Sequence, residues 1–227
     1  MKDKSAYYMN SGAVPMSSKV SLHVRRKMFQ LFMYVMRPSE TASILDLGVT
    51  GDEEHQESNF FEQFYPYKHR IVCVGTEDGS HLERTYPGII FMPIRQGEKL
   101  PFSDQQFDIV FSNAVVEHTG EEAEQKVFVQ EALRVSKAFF LTTPNRFFPI
   151  EMHSGLPFLH LFPKPVHRLL LSKIGYNYWA SESNLNLLGA QGFRRLFPDS
   201  APVKIVKVRL FGFCSNLVAY SQLPGGC

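Results

Sequence analysis

The chain has 227 residues, 44% of them hydrophobic, which is enough to bury one substantial core and points to one domain over residues 1–227 rather than two. Its 24 Lys and Arg against 22 Asp and Glu give a formal charge of +2, so the polyanion signature of a nucleic-acid binder is missing. Cys73, Cys214 and Cys227 are too scattered for a disulfide framework or a thiolate metal site, no run reaches the roughly 18 apolar residues that span a bilayer, and no basic-then-apolar leader opens the chain, so a reducing, cytoplasmic setting is expected.

Residues 1–20 are small, polar and unpatterned, and read as a flexible arm. From Ser21 to Arg37 the residues Val24, Met28, Leu31, Phe32, Val35 and Met36 recur at helical spacing and stop before Pro38, which predicts an amphipathic helix covering a sheet. Its Arg25-Arg26-Lys27 run reads as a solvated face, or as a contact for an anionic substrate. Next, Ser43-Ile-Leu-Asp-Leu-Gly-Val-Thr-Gly-Asp52 is a short apolar run that breaks into a glycine-containing turn. Ile44, Leu45 and Leu47 suit a parallel strand buried on both faces, and Gly48 and Gly51 let a ligand approach bare backbone. This run resembles motif I of the class I S-adenosylmethionine-dependent methyltransferases, an acid-x-Gly-x-Gly-x-Gly loop around the amino-acid end of the cofactor. The resemblance puts Asp46 and Gly48 on the first acid and first glycine, while Thr50 and Asp52 stand where the family has its second and third glycines.

Glu53 to Tyr65 is expected as the first crossover helix and Ile71 to Gly75 as the second strand. A right-handed crossover puts the end of that strand beside the glycine loop, where Glu77 or Asp78 could accept both hydroxyls of a ribose. Two acids there also fit a cap for the next helix, so one of them, Glu77 by preference, is assigned to the ribose. Ile89 to Ile94, interrupted by Pro93, suits an edge strand.

The stretch from Gln96 through Leu100-Pro101-Phe102 and Phe107-Asp108-Ile109-Val110 to Glu117-His118 resembles a long motif of the same methyltransferases. It reads as a turn, a fourth strand from Phe107 to Ser112, and a strand end that delivers Asn113 and the Glu117-His118 pair to a cleft. The resemblance implies that Gln96, where the family has an acid, meets the adenine amino group. A helix from Gly120 to Ser136, with Ala123, Val127, Leu133 and Val135 inward, leads to a fifth strand from Ala138 to Thr143.

Residues 144–188 read as a substrate lid inserted after the fifth strand, dense in Pro, Phe and His over its first twenty residues. Its opening Thr142-Thr143-Pro144-Asn145-Arg146 is similar to a segment of a bacterial subgroup of the type 11 methyltransferase domain. A basic amphipathic helix from Pro163 to Ile174 packs on the core, or makes weak peripheral membrane contact. Residues 189–223 supply a helix near Ala190 to Phe197 and the strands Val203 to Leu210 and Phe213 to Tyr220, the last of them antiparallel.

The expected fold is therefore α/β, a Rossmann-like doubly wound sheet with helices on both faces and residues 38–143 as the cofactor-binding core. The resemblance implies S-adenosylmethionine as cofactor and methyl transfer, by preference to the oxygen of a small-molecule or glycan-like acceptor. A catalytically silent scaffold with the same fold is the alternative, favoured by the altered glycine loop. Cofactor contacts are assigned to Asp46, Gly48, Gly51, Glu77, Asp78, Gln96 and Asn113, proton transfer to His118 and His153, and substrate contacts to Asn145, Arg146 and Glu151. His153, His160 and His167 recur every seven residues, but prolines separate them and no metal site is assigned.

Overall fold

The computed structural model describes residues 18–223 apart from 54, 56 and 152; the expected arm up to residue 17 and Cys227 lie outside the described residues. Helix α1 (Ser18–Met36) turns Val24, Met28, Phe32 and Met36 to the core at intervals of four and stops before Pro38. Strand β1 (Ile44–Leu47) is buried at every position, as a strand covered on both faces must be. Around it lie α2 (Phe60–Phe64), β2 (Ile71–Gly75), α3 (Leu82–Thr85), β3 (Ile90–Pro93) and β4 (Phe107–Asn113). Helix α4 (Glu122–Arg134), β5 (Ser136–Pro144), α5 (Lys164–Lys173), α6 (Asn177–Ala180), α7 (Ala190–Arg195), β6 (Lys204–Leu210) and β7 (Phe213–Tyr220) follow among the described residues.

The seven strands form one sheet in the order β3-β2-β1-β4-β5-β7-β6. The first five are parallel, with Ile44 opposite both Ile71 and Ile109. Strand β7 runs antiparallel to both β5 and β6. Because β1 and β4 are neighbours although β2 and β3 lie between them in sequence, the chain reverses direction across the sheet at β1, and a crevice opens at the carboxyl ends of these strands. One face of the sheet is sealed by an aromatic cluster, in which Phe61 stacks on Phe111 at 4.1 Å and Phe32 meets Phe61, Phe111 and Phe140 edge-on. The other face packs Leu45, Val110, Phe139 and Leu217 against Val129 of α4 and Phe193 of α7.

Three local expectations change. The crossover helix begins only at Phe60, because Thr50, Asp52, Ser58 and Asn59 before it are held in turns by polar side chains. Asn59 accepts the Thr50 N–H and donates to the Thr50 carbonyl, while Asp52 accepts from the His55 N–H and the Ser58 hydroxyl. These side chains compete with the backbone for helical hydrogen bonds. In α4 the buried face is Gln125, Val129 and Ala132, and Val127 is half exposed. The helix starts at Glu122 under a reciprocal cap from Glu121 and Glu124, which sets its rotation. Helix α5 buries His167 and Leu171 but leaves Val166 and Leu169 exposed, next to exposed Phe158, Leu161 and Phe162. No helix among the described residues is long and apolar enough to cross a membrane.

Candidate active site

The crevice at the carboxyl ends of β1, β2 and β4 is a cavity of about 1030 Å³ whose wall includes Gly48, Glu77, Gln96, Asn113, His118 and Trp179. Gly48 has φ +101° and its N–H donates to the Val74 carbonyl at 2.8 Å; a Cβ there would run into the Val115 side chain, so only glycine fits. Beyond it Glu77 Oε2 accepts the Thr50 hydroxyl at 3.1 Å and the Gly51 N–H at 3.3 Å, tying the loop after β1 to the end of β2. Asp78 turns away and accepts the Ser80 N–H at 2.9 Å, closing a local turn. Asp46 lies under the loop against Glu62, and burial together with that second carboxyl raises it well above the usual carboxylate range. Gln96 donates its amide to the His118 carbonyl at 3.2 Å, which leaves its side-chain oxygen as acceptor, and Asn113 accepts the Thr142 hydroxyl at 2.7 Å. Arg25 of α1 also reaches the cleft wall, stacked over Phe60 and donating to the Glu57 carbonyl.

At the far end His118 meets a buried cluster. Its Nδ1 lies 2.8 Å from the Asn184 carbonyl, and its Nε2 lies 3.1 Å from His153 Nε2. His153 Nδ1 is 2.5 Å from Glu151 Oε1. Glu117 is fully buried, with Oε2 accepting the Thr143 hydroxyl at 2.9 Å. Trp179 of α6 packs against both histidine rings.

A methyltransferase-domain family model matches residues 83–138, the stretch from α3 to the start of β5. The chain superposes on a methyltransferase from Aquifex aeolicus described as S-adenosylmethionine-dependent, with TM-score 0.51 and 12% identity over 96% of this chain and 98% of that one. Another so described, from Methanosarcina mazei, gives 0.53 and 14% identity over 82% and 94%. The CurJ carbon methyltransferase gives 0.57 and 10% identity over 95% of this chain and 56% of that one. This is the Rossmann-like methyltransferase fold. No curated protein matches the chain.

Within this methyltransferase fold the cleft divides into a loop side, with Gly48, Glu77 and Gln96, and a histidine side. The histidine side has unusual electrostatics. Burial and the charge of His153 push His118 down to about 3, so His118 is neutral. Burial opposes charge on His153 too, but Glu151 outweighs it and raises His153. Burial alone would raise Glu151, yet His153 and the N–H groups of His153 and Ser154 hold it near 2, while burial lifts Glu117 to about 7. Glu151 therefore stands ionised against His153, behind a neutral His118.

Asn145, Arg146 and Glu151 are not on the cleft wall. Asn145 donates to the Cys214 carbonyl and Arg146 to the Phe162 carbonyl, both within the framework of the insertion. The part of residues 144–188 that does line the cleft is Tyr178, Trp179, Ser183 and Asn184. This segment is latched by Glu182, which takes Lys164 at 3.2 Å and Arg168 at 2.6 Å, and by the Asn186 N–H donating to the Glu117 carbonyl. Thr50, Asn59 and Trp179 carry no site assignment from sequence, and Glu117 is placed at the cleft beside His118 without a role. Glu117 carried a signal in its place beside His118; Trp179 carried none beyond being the single tryptophan.

Proposed function

We propose that the protein is an S-adenosylmethionine-dependent methyltransferase that acts on a hydroxyl of a small-molecule or glycan-like acceptor. The observation that carries the reading is Glu77 bonded to Thr50 and Gly51 at the mouth of the cleft. An ionised carboxylate offers about four acceptor sites, and two remain for the ribose hydroxyls. Gln96 Oε1 would take the adenine amino group, and the backbone of the Gly48 to Gly51 turn, with Asp46 beneath it, would hold the amino-acid end. The cavity matches a nucleoside-sized ligand with room for an acceptor. Thr50 and Asp52, which stand where the related loop has glycines, organise the turn instead of blocking it, and this weighs against the silent-scaffold reading.

When bound, S-adenosylmethionine supplies a methyl carbon on a positively charged sulfur. The acceptor oxygen would be held in line with that carbon and would release its proton to the His118 and His153 pair, in which His118 is the group on the cleft wall and His153 the stronger base. Glu151 positions His153 for this. Asn145 and Arg146 frame the insertion, which closes over the acceptor through Tyr178 and Trp179 and excludes water. The Thr142 to Arg146 run supports placement in the bacterial subgroup that shares it, and Cys73 and Cys214, both free, suit a reducing cytoplasm. The exposed Val166, Leu169 and Phe162 beside Lys173 would allow weak contact with a membrane surface. The test is calorimetric titration of S-adenosylhomocysteine into the wild type and Glu77→Ala, followed by an acceptor screen with radiolabelled methyl donor.

A further inference from the structure

The geometry points to a divalent metal site made by Glu117, His118 and His153, each of which offers one ligand atom within 4.8 Å of the others, with His118 Nε2 lying 3.9 Å from Glu117 Oε1 and 3.1 Å from His153 Nε2. The site stands on its own observations; its role rests on the methyltransferase reading.

The first observation is the tautomer problem. His118 Nδ1 faces a carbonyl, which only accepts, so Nδ1 carries a proton there. His153 Nδ1 faces the Glu151 carboxylate and donates to it in the same way. In neutral rings both Nε2 atoms are then lone pairs, yet they point at each other across 3.1 Å. Something positive has to sit between them, either an extra proton or a cation. The second observation is Glu117. Its Oε2 is taken by Thr143, while its Oε1 is fully buried without a hydrogen-bond partner and lies 3.9 Å from His118 Nε2. A buried carboxylate oxygen without a partner is costly, and a single proton between the two histidines leaves it unsatisfied.

A cation resolves both. Bonds of roughly 2.0–2.1 Å at a tetrahedral angle put donors about 3.3 Å apart, between the observed separations of 3.1 Å and 3.9 Å. The outer contacts are those a metal-binding histidine needs, a carboxylate on His153 and a carbonyl on His118. Two imidazoles and one carboxylate suit a first-row transition ion rather than Mg²⁺ or Ca²⁺. With Glu117 and Glu151 ionised the charges cancel a 2+ ion. His118 lines the cleft, so the open coordination position faces the acceptor. There the ion would hold the acceptor oxygen and lower its pKa, the proton leaving to cleft water instead of to the histidines. The favoured substrate is then an oxygen nucleophile.

The experiment is to strip the full-length protein with a chelator, dialyse it against Co²⁺, Zn²⁺ or Mn²⁺ separately, and measure bound metal together with S-adenosylhomocysteine affinity and melting temperature. One equivalent of Co²⁺ or Zn²⁺ is expected in the wild type, with affinity at least tenfold lower in Glu117→Gln and His153→Ala. In the unmutated protein, Co²⁺ should shift or broaden the His118 and His153 imidazole resonances, a reading independent of whether a variant folds. Metal uptake without S-adenosylhomocysteine binding would sink the methyltransferase reading and leave the site standing. Wild-type protein that takes up less than about a tenth of an equivalent of all three ions, or imidazole resonances that do not respond, would overturn the site and leave a shared proton between the histidines.

Discussion

The hydroxyl of Thr50 donates to Glu77 Oε2 at 3.1 Å, so the turn after the first strand and the acid after the second move as one unit. Glu77→Ala removes the proposed ribose acceptor and this tie together, and should weaken S-adenosylhomocysteine binding by about 1–3 kcal/mol. Thr50→Val removes the tie alone and should cost about 0.5–1.5 kcal/mol. Asp78→Ala, at a turn residue that bonds Ser80 and stands off the cleft wall, should leave affinity within about twofold. Calorimetry on the three variants checks the order.

Gly48→Ala tests the closeness of the loop to the sheet. At φ +101° with Val115 beneath, an added methyl group has neither the backbone conformation nor the space. A loss of about 1–3 kcal/mol in urea unfolding is expected, with cofactor binding lost alongside. Gly175→Ala has positive φ but open space around it, so it should cost less.

Asp46 predicts a pH dependence. Its carboxyl is raised well above the ordinary value of 3.8 by burial and by Glu62, so the folded chain keeps a proton that the unfolded chain releases. Its contribution to stability is therefore fully present below about 3.8 and is lost as pH rises through the higher folded value. Melting temperature measured from pH 4 upward should fall more steeply in the wild type than in Asp46→Asn. Parallel curves would remove the buried pair from the account.

On the histidine side, His118→Ala and His153→Ala should lower turnover by about a hundredfold to ten-thousandfold. Arg146→Ala, whose side chain holds the Phe162 carbonyl away from the cleft, should act on melting temperature and leave turnover within about threefold. Trp179→Ala removes a buried ring that packs on both histidines and on Tyr178, and should cost about 3–5 kcal/mol while opening the cleft.

Much of this was legible because hydrophobic period and strand ends are local properties. The run from Ile44 to Leu47 and the run from Phe107 to Asn113 announce buried strands, and the acids and amides just past them fall at the carboxyl edge by geometry alone. Residues 53–59 were read as helix because side-chain capture by Asp52 and Asn59 is invisible to periodicity. The sequence names His118 and His153 as candidate bases, but their direct contact is invisible to it for a related reason. A seven-residue spacing sets His153 with His160 and His167 in sequence, whereas the chain folds His153 back onto His118, and His160 Nε2 donates to the Phe148 carbonyl. The insertion likewise reaches the cleft through residues 178–184, whose sequence carries no motif, and not through its Pro- and Phe-rich opening.

The most direct measurement is calorimetric titration of S-adenosylhomocysteine into the wild-type chain. The account predicts one equivalent bound, with affinity reduced about tenfold or more in Glu77→Ala. A wild-type chain that gives no binding heat at several temperatures, with S-adenosylmethionine equally silent, would contradict it and return the fold to a scaffold role.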